Sequence, residues 1–325
     1  MDTFVGIDVS KMTFDVHLRR PDNQEQAFSL ANARSGHCDL VKRLTRRGGR
    51  ARVVLEASGH YHFRLALALH EAEGVQVMVV NPRAARNFAR ANMQRSKTDA
   101  LDATVLLEFA QRMPFQPWTP PTKQEMELRS VARRIGSLMK TRTQEKNRHH
   151  AAEYVSDTVC RDIDVNVRHL GRRIIALQAG ARRLIETCPR LRRQFSQLTS
   201  IKGIAAASAI QILGELCVLP KDMSKRQWVA MAGLDPRIFQ SGLSVHPPAR
   251  ISRLGNRFIR AALYLPALTA IRWEPNVKAF YEKLIARKKA PLQAIVAVMR
   301  KLLHAIHGMI RTGTDFDGEK FYALG

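Results

Sequence analysis

The sequence predicts an α/β domain followed by an all-α region, on three observations. Residues up to about 120 alternate short β-branched runs with segments of helical period. From Thr122 onward no strand run follows, and Leu128, Val131, Ile135 and Leu138 recur at three- and four-residue steps. Beyond Leu191, Pro220, Gly233, Pro236 and Pro247–Pro248 divide further apolar helical segments. At 325 residues the chain is long enough for two domains, and the expected divisions are 1–120, 121–190 and 191–325.

Taken in order, Thr3–Val9 and Thr13–Leu18 are β-rich runs joined by a turn at Ser10–Met12, and Gln26–Leu30 returns as a third strand. Ser35 is the expected N-cap of a helix reaching Thr45 and ended by Gly48 and Gly49. Arg52–Ala57 reads as a buried strand, Tyr61–Glu73 as a helix, Val75–Val80 as a strand, and Pro82 as the opening of another helix. The order β-β-β-α-β-α-β-α suits a mixed sheet with helices on its faces, the first and fourth strands being central neighbours. A long helix after Thr122 and a second over Val165–Ile185 suit an antiparallel hairpin or a dimerising coiled coil. Later helices are expected at Asn256–Arg272, kinked at Pro266, and at Pro291–Arg311, closed by Gly313.

Lys and Arg number 53 against 28 Asp and Glu, a formal charge of +25. So strong an excess predicts a polyanionic partner. No apolar stretch approaches the roughly 18 residues of a spanning helix, and MDTFVGIDVS lacks the basic and apolar regions of a signal peptide, so a soluble, cytoplasmic protein is expected. Cys38, Cys160, Cys188 and Cys217 are scattered without zinc-ligand spacing, which argues against a disulfide framework or a structural zinc.

Four acids stand out against this basic background. Asp99 and Asp102, in KTDALDA, share one side of a helix, where two carboxylates repel unless a cation lies between them. Alone they also suit a helix first turn, as N-cap and dipole partner. Asp8 sits in the strand FVGIDVS and Glu56 ends VVLEAS, both in runs whose apolar neighbours belong in a core. Neighbouring strands bring Asp8 and Glu56 together, and a later helix can add Asp99 and Asp102. Four carboxylates suit Mg²⁺ or Mn²⁺, and such ions can activate an attacking oxygen and stabilise a leaving one at a phosphodiester. Arg83, Arg86, Arg90, Arg95 and Lys97 fit a phosphate-binding shell around them.

A second constellation lies downstream. The Lys202–Gly203–Ile204 turn between apolar helices is similar to a helix-hairpin-helix turn, which offers backbone N–H groups to DNA phosphate. Ser241 and Ser244 then lie in a loop with Arg237, Arg250 and Arg253 nearby, and a serine among phosphate-binding arginines can act as a nucleophile, although loop serines are mostly turn formers.

These motifs resemble a known family. GIDVSK, LEASG and KTDALDA resemble the acidic tetrad of the DEDD insertion-sequence transposases, which include pilin-gene invertases and bridge-RNA-guided recombinases, and IKGI, AGLDPR, SGLSV, RISRLGN and RAALYLPAL resemble that family's C-terminal domain in order and spacing. The resemblance implies an RNase H-like (RuvC-like) N-terminal domain holding Mg²⁺ or Mn²⁺ on Asp8, Glu56, Asp99 and Asp102, a helical coiled-coil linker, and a C-terminal transposase domain. By motif position it implies Ser241 as the nucleophile, with Ser244 the fallback, forming a phosphoserine–DNA intermediate. Read from the residues themselves, Lys97, Lys202, Gly203, Arg237, Arg250 and Arg253 are the expected nucleic-acid contacts. The resemblance further implies a structured guide RNA pairing with element and target DNA, and a homodimer or homotetramer acting on the bacterial nucleoid. Two other readings stand beside it: a metal-dependent endonuclease of the junction-resolvase type using activated water, and a non-catalytic nucleic-acid scaffold whose acids are helix caps.

Overall fold

The computed structural model describes residues 2–46, 49–57, 59–93, 99–154, 156–237 and 250–324, the side chains of residues 99–101 excepted. It divides into two compact units, Met1–Pro120 and Pro121–Gly325.

In the first unit, β1 (Asp2–Val9), β2 (Thr13–Arg19) and β3 (Glu25–Ala31) form the expected meander. They are followed by α1 (Arg34–Thr45), β4 (Arg50–Glu56), α2 (His62–His70), β5 (Val75–Val80), α3 (Pro82–Ala91) and α4 (Asp99–Arg112). The sheet order is β3-β2-β1-β4-β5, with β2 antiparallel to β1 and β4 parallel to it. Period-two alternation sorts the side chains. Val5, Ile7 and Val9 of β1, Phe14, Val16 and Leu18 of β2, and Val53 and Leu55 of β4 form one core with Leu40 of α1 and Leu65 and Leu69 of α2. The opposite face places Val54 and Val80 against Ala85 of α3 and Leu106, Phe109 and Ala110 of α4. Burying each large apolar side chain contributes about 1.5–3 kcal/mol, so a one-residue slip in β1 or β4 would move a whole set of them to the wrong face.

One cap is corrected. Helix α1 begins at Arg34, and its N-cap is Ala33, with no side-chain cap; Ser35 lies within the helix. The chain turns directly out of β3, where Ala33 N–H donates to the Ala31 carbonyl (2.8 Å), so strand pairing, not a serine, sets where the helix starts.

In the second unit, α5 (Lys123–Ala152) opens with a capping box between Thr122 and Glu125. It packs antiparallel on α6 (Asp157–Glu186): Gln124 Nε2 donates to the Leu184 carbonyl at one end (2.7 Å), and His149 meets Asp164 at the other (3.4 Å). Then follow α7 (Pro189–Ser200), α8 (Ala206–Leu216), α9 (Lys225–Ala232), β6 (Pro236–Arg237), β7 (Arg250–Ile251), α10 (Arg257–Trp273), α11 (Pro275–Ala286), α12 (Pro291–Thr312) and α13 (Gly318–Phe321). Leu128, Ile135, Leu170 and Ile174 of the α5–α6 hairpin belong to the same core as Leu213, Leu263, Leu302 and Phe321. The hairpin is therefore packed into this unit along much of its length. Asn256 caps α10, Pro266 lies inside it, and Gly313 closes α12 in the left-handed conformation.

Candidate active site

The acids of the first unit are positioned by strand parity. Asp8 shares the face of Gly6, and Glu56 that of Val54, because the alternate residues are committed to the other core. The register of β1 on β4 runs from Asp2–Arg50 to Ile7–Leu55, so Asp8 and Glu56 follow immediately on adjacent parallel strands. Both are half-buried.

Helix α4 is pressed onto this face by a missing side chain. A Cβ on Gly6 would lie 2.2 Å from the Ala103 carbonyl oxygen and 2.2 Å from the Leu107 nitrogen, so only glycine allows the approach. The direction of α4 follows from two hydrogen bonds. His17, paired with Gly6, meets Thr104 Oγ1 through Nδ1 at 2.8 Å, and Arg19, paired with Phe4, donates to Gln111 Oε1 at 3.1 Å. The helix positions before Ala103, those of the half-buried Asp102 and of Asp99, thus lie toward the end of β1 that carries Asp8.

Two residues here were missed by sequence reasoning. Asp15 is directly opposite Asp8 in the β1–β2 ladder and faces the same side, a fifth carboxylate that period two would have revealed once the hairpin register was known. His17 touches Glu25 through Nε2 (3.1 Å) as well as Thr104, and so braces α4 two residues past Asp102.

The donor set is carboxylate oxygen throughout, which suits a hard divalent cation rather than a softer metal. Among the described residues no group of three or more His, Cys, Asp or Glu is placed to hold a metal ion; the Asp99 side chain lies outside them.

Ser241 and Ser244, in the sequence of the second unit, and Lys97, in that of the first, lie outside the described residues. The ends of the serine segment are described and are held together. Arg237 pairs with Arg250 across β6 and β7, Ser252 Oγ donates to Asp235 (2.6 Å), and Asn256 N–H donates to the Met231 carbonyl (2.7 Å). Beneath this base the buried Glu215 accepts from Arg133 Nε (2.6 Å), Arg133 Nη2 (3.0 Å) and Asn256 Nδ2 (2.5 Å), joining α5, α8 and the start of α10. Burial and Arg253 together lower the pKa of Arg260 from its usual value; with Arg237 and Arg250 also exposed, the base of the segment is strongly cationic. Gly203 has a packing role: its φ is +113°, and a Cβ there would meet Ala270 N at 2.7 Å and the Pro266 carbonyl at 2.9 Å. Lys202 faces Glu274 at 3.7 Å. Cys217 is no rival nucleophile, since burial pushes its thiol up to about 12.

The first unit is a mixed α/β domain whose five-stranded sheet, of order β3-β2-β1-β4-β5, carries acids at adjacent ends of the parallel strands β1 and β4. A family model described as transposase, of the DEDD IS110 type, matches residues 5–152, and a second, transposase IS116/IS110/IS902 family, matches residues 196–282. The chain belongs to this IS110-type transposase family and is an enzyme that acts on DNA. It is 28% identical over 323 residues to the pilin gene-inverting protein of Moraxella bovis, covering 97% of this chain and 98% of that one. It is 24% identical over 286 residues to the transposase for insertion sequence element IS1328 of Yersinia enterocolitica, covering 80% and 81%. T. thermophilus RuvC in complex with Holliday junction substrate covers 36% of this chain at 13% identity and a TM-score of 0.27, too slight a likeness to add to the strand order. Among the described residues no helix is long and apolar enough to cross a membrane.

Proposed function

We propose that the protein is an insertion-sequence DNA recombinase that cuts and rejoins DNA through a covalent phosphoserine intermediate on Ser241, assisted by Mg²⁺ or Mn²⁺ and guided by a structured RNA. The observation that supports it most is the convergence of Asp8, Glu56 and the acidic first turn of α4 on one end of the sheet, with Gly6 drawing the helix into place.

Asp8, Glu56, Asp99 and Asp102 are the residues that would hold the metal. Bound there, it would neutralise the charge that develops on phosphate oxygens. The chain's own residues do the rest. His17 and Arg19 of β2 hold α4 through Thr104 and Gln111, which fixes the helix that carries Asp102 against the sheet. The arginines at the base of the serine segment, Arg237, Arg250 and Arg253, attract backbone phosphate to the Ser241 hydroxyl; Lys202 and Gly203 in the same unit, and Lys97 in the first unit, supply further nucleic-acid contacts. Attack by Ser241 Oγ on phosphorus forms the phosphoserine bond as the deoxyribose oxygen leaves, and the reverse attack rejoins the strand. A serine ester conserves the bond energy that hydrolysis would lose. The working unit in this reading is a homodimer or homotetramer.

A denaturing gel of labelled element-end and target DNA, incubated with protein, candidate guide RNA and Mg²⁺, tests the reading. A slow, protease-sensitive DNA adduct lost in both Ser241→Ala and Asp102→Ala is expected. Cleavage that survives Ser241→Ala but not Asp102→Ala, with no adduct, would identify a hydrolytic nuclease using activated water.

A further inference from the structure

We infer that the exposed face of α3 is a binding site for the phosphodiester backbone of the DNA strand being cut, adjoining the acids of β1 and β4. The inference rests on the cutting role proposed for those acids.

Four observations carry it. Arg83, Arg86 and Arg90 line a concavity of about 420 Å³ together with Asn81, Pro82 and Asn87. They recur at helical spacing, and the opposite side of α3 is occupied, with Ala85 buried and the Phe88 ring 5.1 Å from that of Phe109. Helix α3 contains no acid, and among the described residues no carboxylate lies within ion-pair distance of the three guanidinium groups. Nearby Glu108 is already engaged by Asn92 (2.8 Å) and Arg112 (3.6 Å). Three like charges on adjacent turns repel one another, and every side chain that lines the hollow, Pro82 apart, offers N–H donors, so the complementary ligand is a row of anions.

Position selects the ligand. Glu56 is in register with Val80, whose carbonyl accepts from Ala57 N–H at 2.9 Å, and α3 begins two residues later behind its cap Asn81. The helix that carries the concavity therefore starts from the end of β5 that pairs with the Glu56 end of β4. Arg83 to Arg90 spans seven residues, roughly 10 Å of helix, long enough for the row to meet more than one phosphate of a strand.

The test is binding without chemistry. Full-length protein in EDTA is titrated against a labelled single-stranded oligodeoxynucleotide, its duplex, and an RNA of the same sequence, over a range of salt, for wild type, an Arg83→Gln/Arg86→Gln/Arg90→Gln triple variant and the corresponding triple Lys variant. Loss of three contacts should weaken DNA binding and reduce the slope of log K against log salt by about two, at ~0.7 per phosphate on a single strand; the Lys variant should keep most of it. An unchanged DNA slope, or a loss confined to the RNA, overturns the inference. Hydrogen exchange on the wild type needs no folded variant: DNA should slow exchange at the first turn of α3, and no slowing would count equally against it. Neither readout depends on cleavage, so a failure of the metal reading, seen as an Asp8→Asn variant that still cuts, is recognised separately.

Discussion

Replacing Gly6 with alanine tests the link between packing and chemistry. The new Cβ would sit 2.2 Å from two backbone atoms of α4, the Ala103 oxygen and the Leu107 nitrogen, where ordinary contact begins at 3.4 Å. Helix α4 must therefore withdraw from β1 by about 1.2 Å, the difference between these two values. Neither backbone atom can swing aside as a side-chain tip would, so the cost belongs at the upper end of the usual overpacking range, about 1–3 kcal/mol. For a unit stable by at least about 5 kcal/mol, a loss of 3 leaves roughly 3% unfolded, which barely lowers activity. A displacement of about 1 Å in the group that positions Asp99 and Asp102, by contrast, can cost on the order of 100-fold in rate. Urea unfolding and single-turnover adduct formation, measured on the same preparation, separate the two effects. A variant that loses stability yet cleaves at the wild-type rate would refute the role of α4 in the chemistry, and one that loses neither would refute the tight contact.

Two further outcomes follow from the geometry. Asp15→Asn removes one of two carboxylates that face each other across β1 and β2; in EDTA it should stabilise the first unit by about 0.2–1 kcal/mol, and Mg²⁺ should shrink or reverse that gain, which thermal melts with and without the ion will read. Glu215→Ala leaves Arg133 and Asn256 without their buried acceptor; because Arg133 keeps some solvent exposure, a loss near about 3 kcal/mol is expected, visible in denaturant midpoints, and a change under about 1 kcal/mol would show that water replaces the carboxylate.

Much of this was legible in the chain. Alternation in FVGIDVS, TFDVHL and VVLEAS specifies strands whose alternate faces are both covered, and the parity of Asp8 with Gly6 follows from it directly. Pro82, the Thr122 capping box, Asn256 and Gly313 each mark a helix end through a local hydrogen bond or a restricted backbone angle, which is why those boundaries matched. Ser35 did not cap, because the end of β3 dictates where the chain turns.

Local pattern determined the elements, the basic charge and the identity of the candidate acids, since each depends on residues within a few positions of one another. Tertiary structure alone decided three things. Asp15 stands opposite Asp8 through the register of the β1–β2 ladder. Gly203 serves a helix crossing some 65 residues away, at Pro266–Ala270. Arg83, Arg86 and Arg90 line one hollow on a helix that starts from the strand paired with the Glu56 strand, because β5 lies next to β4. These are contacts between residues far apart in sequence, set by strand order and close packing, to which neither periodicity nor composition is sensitive.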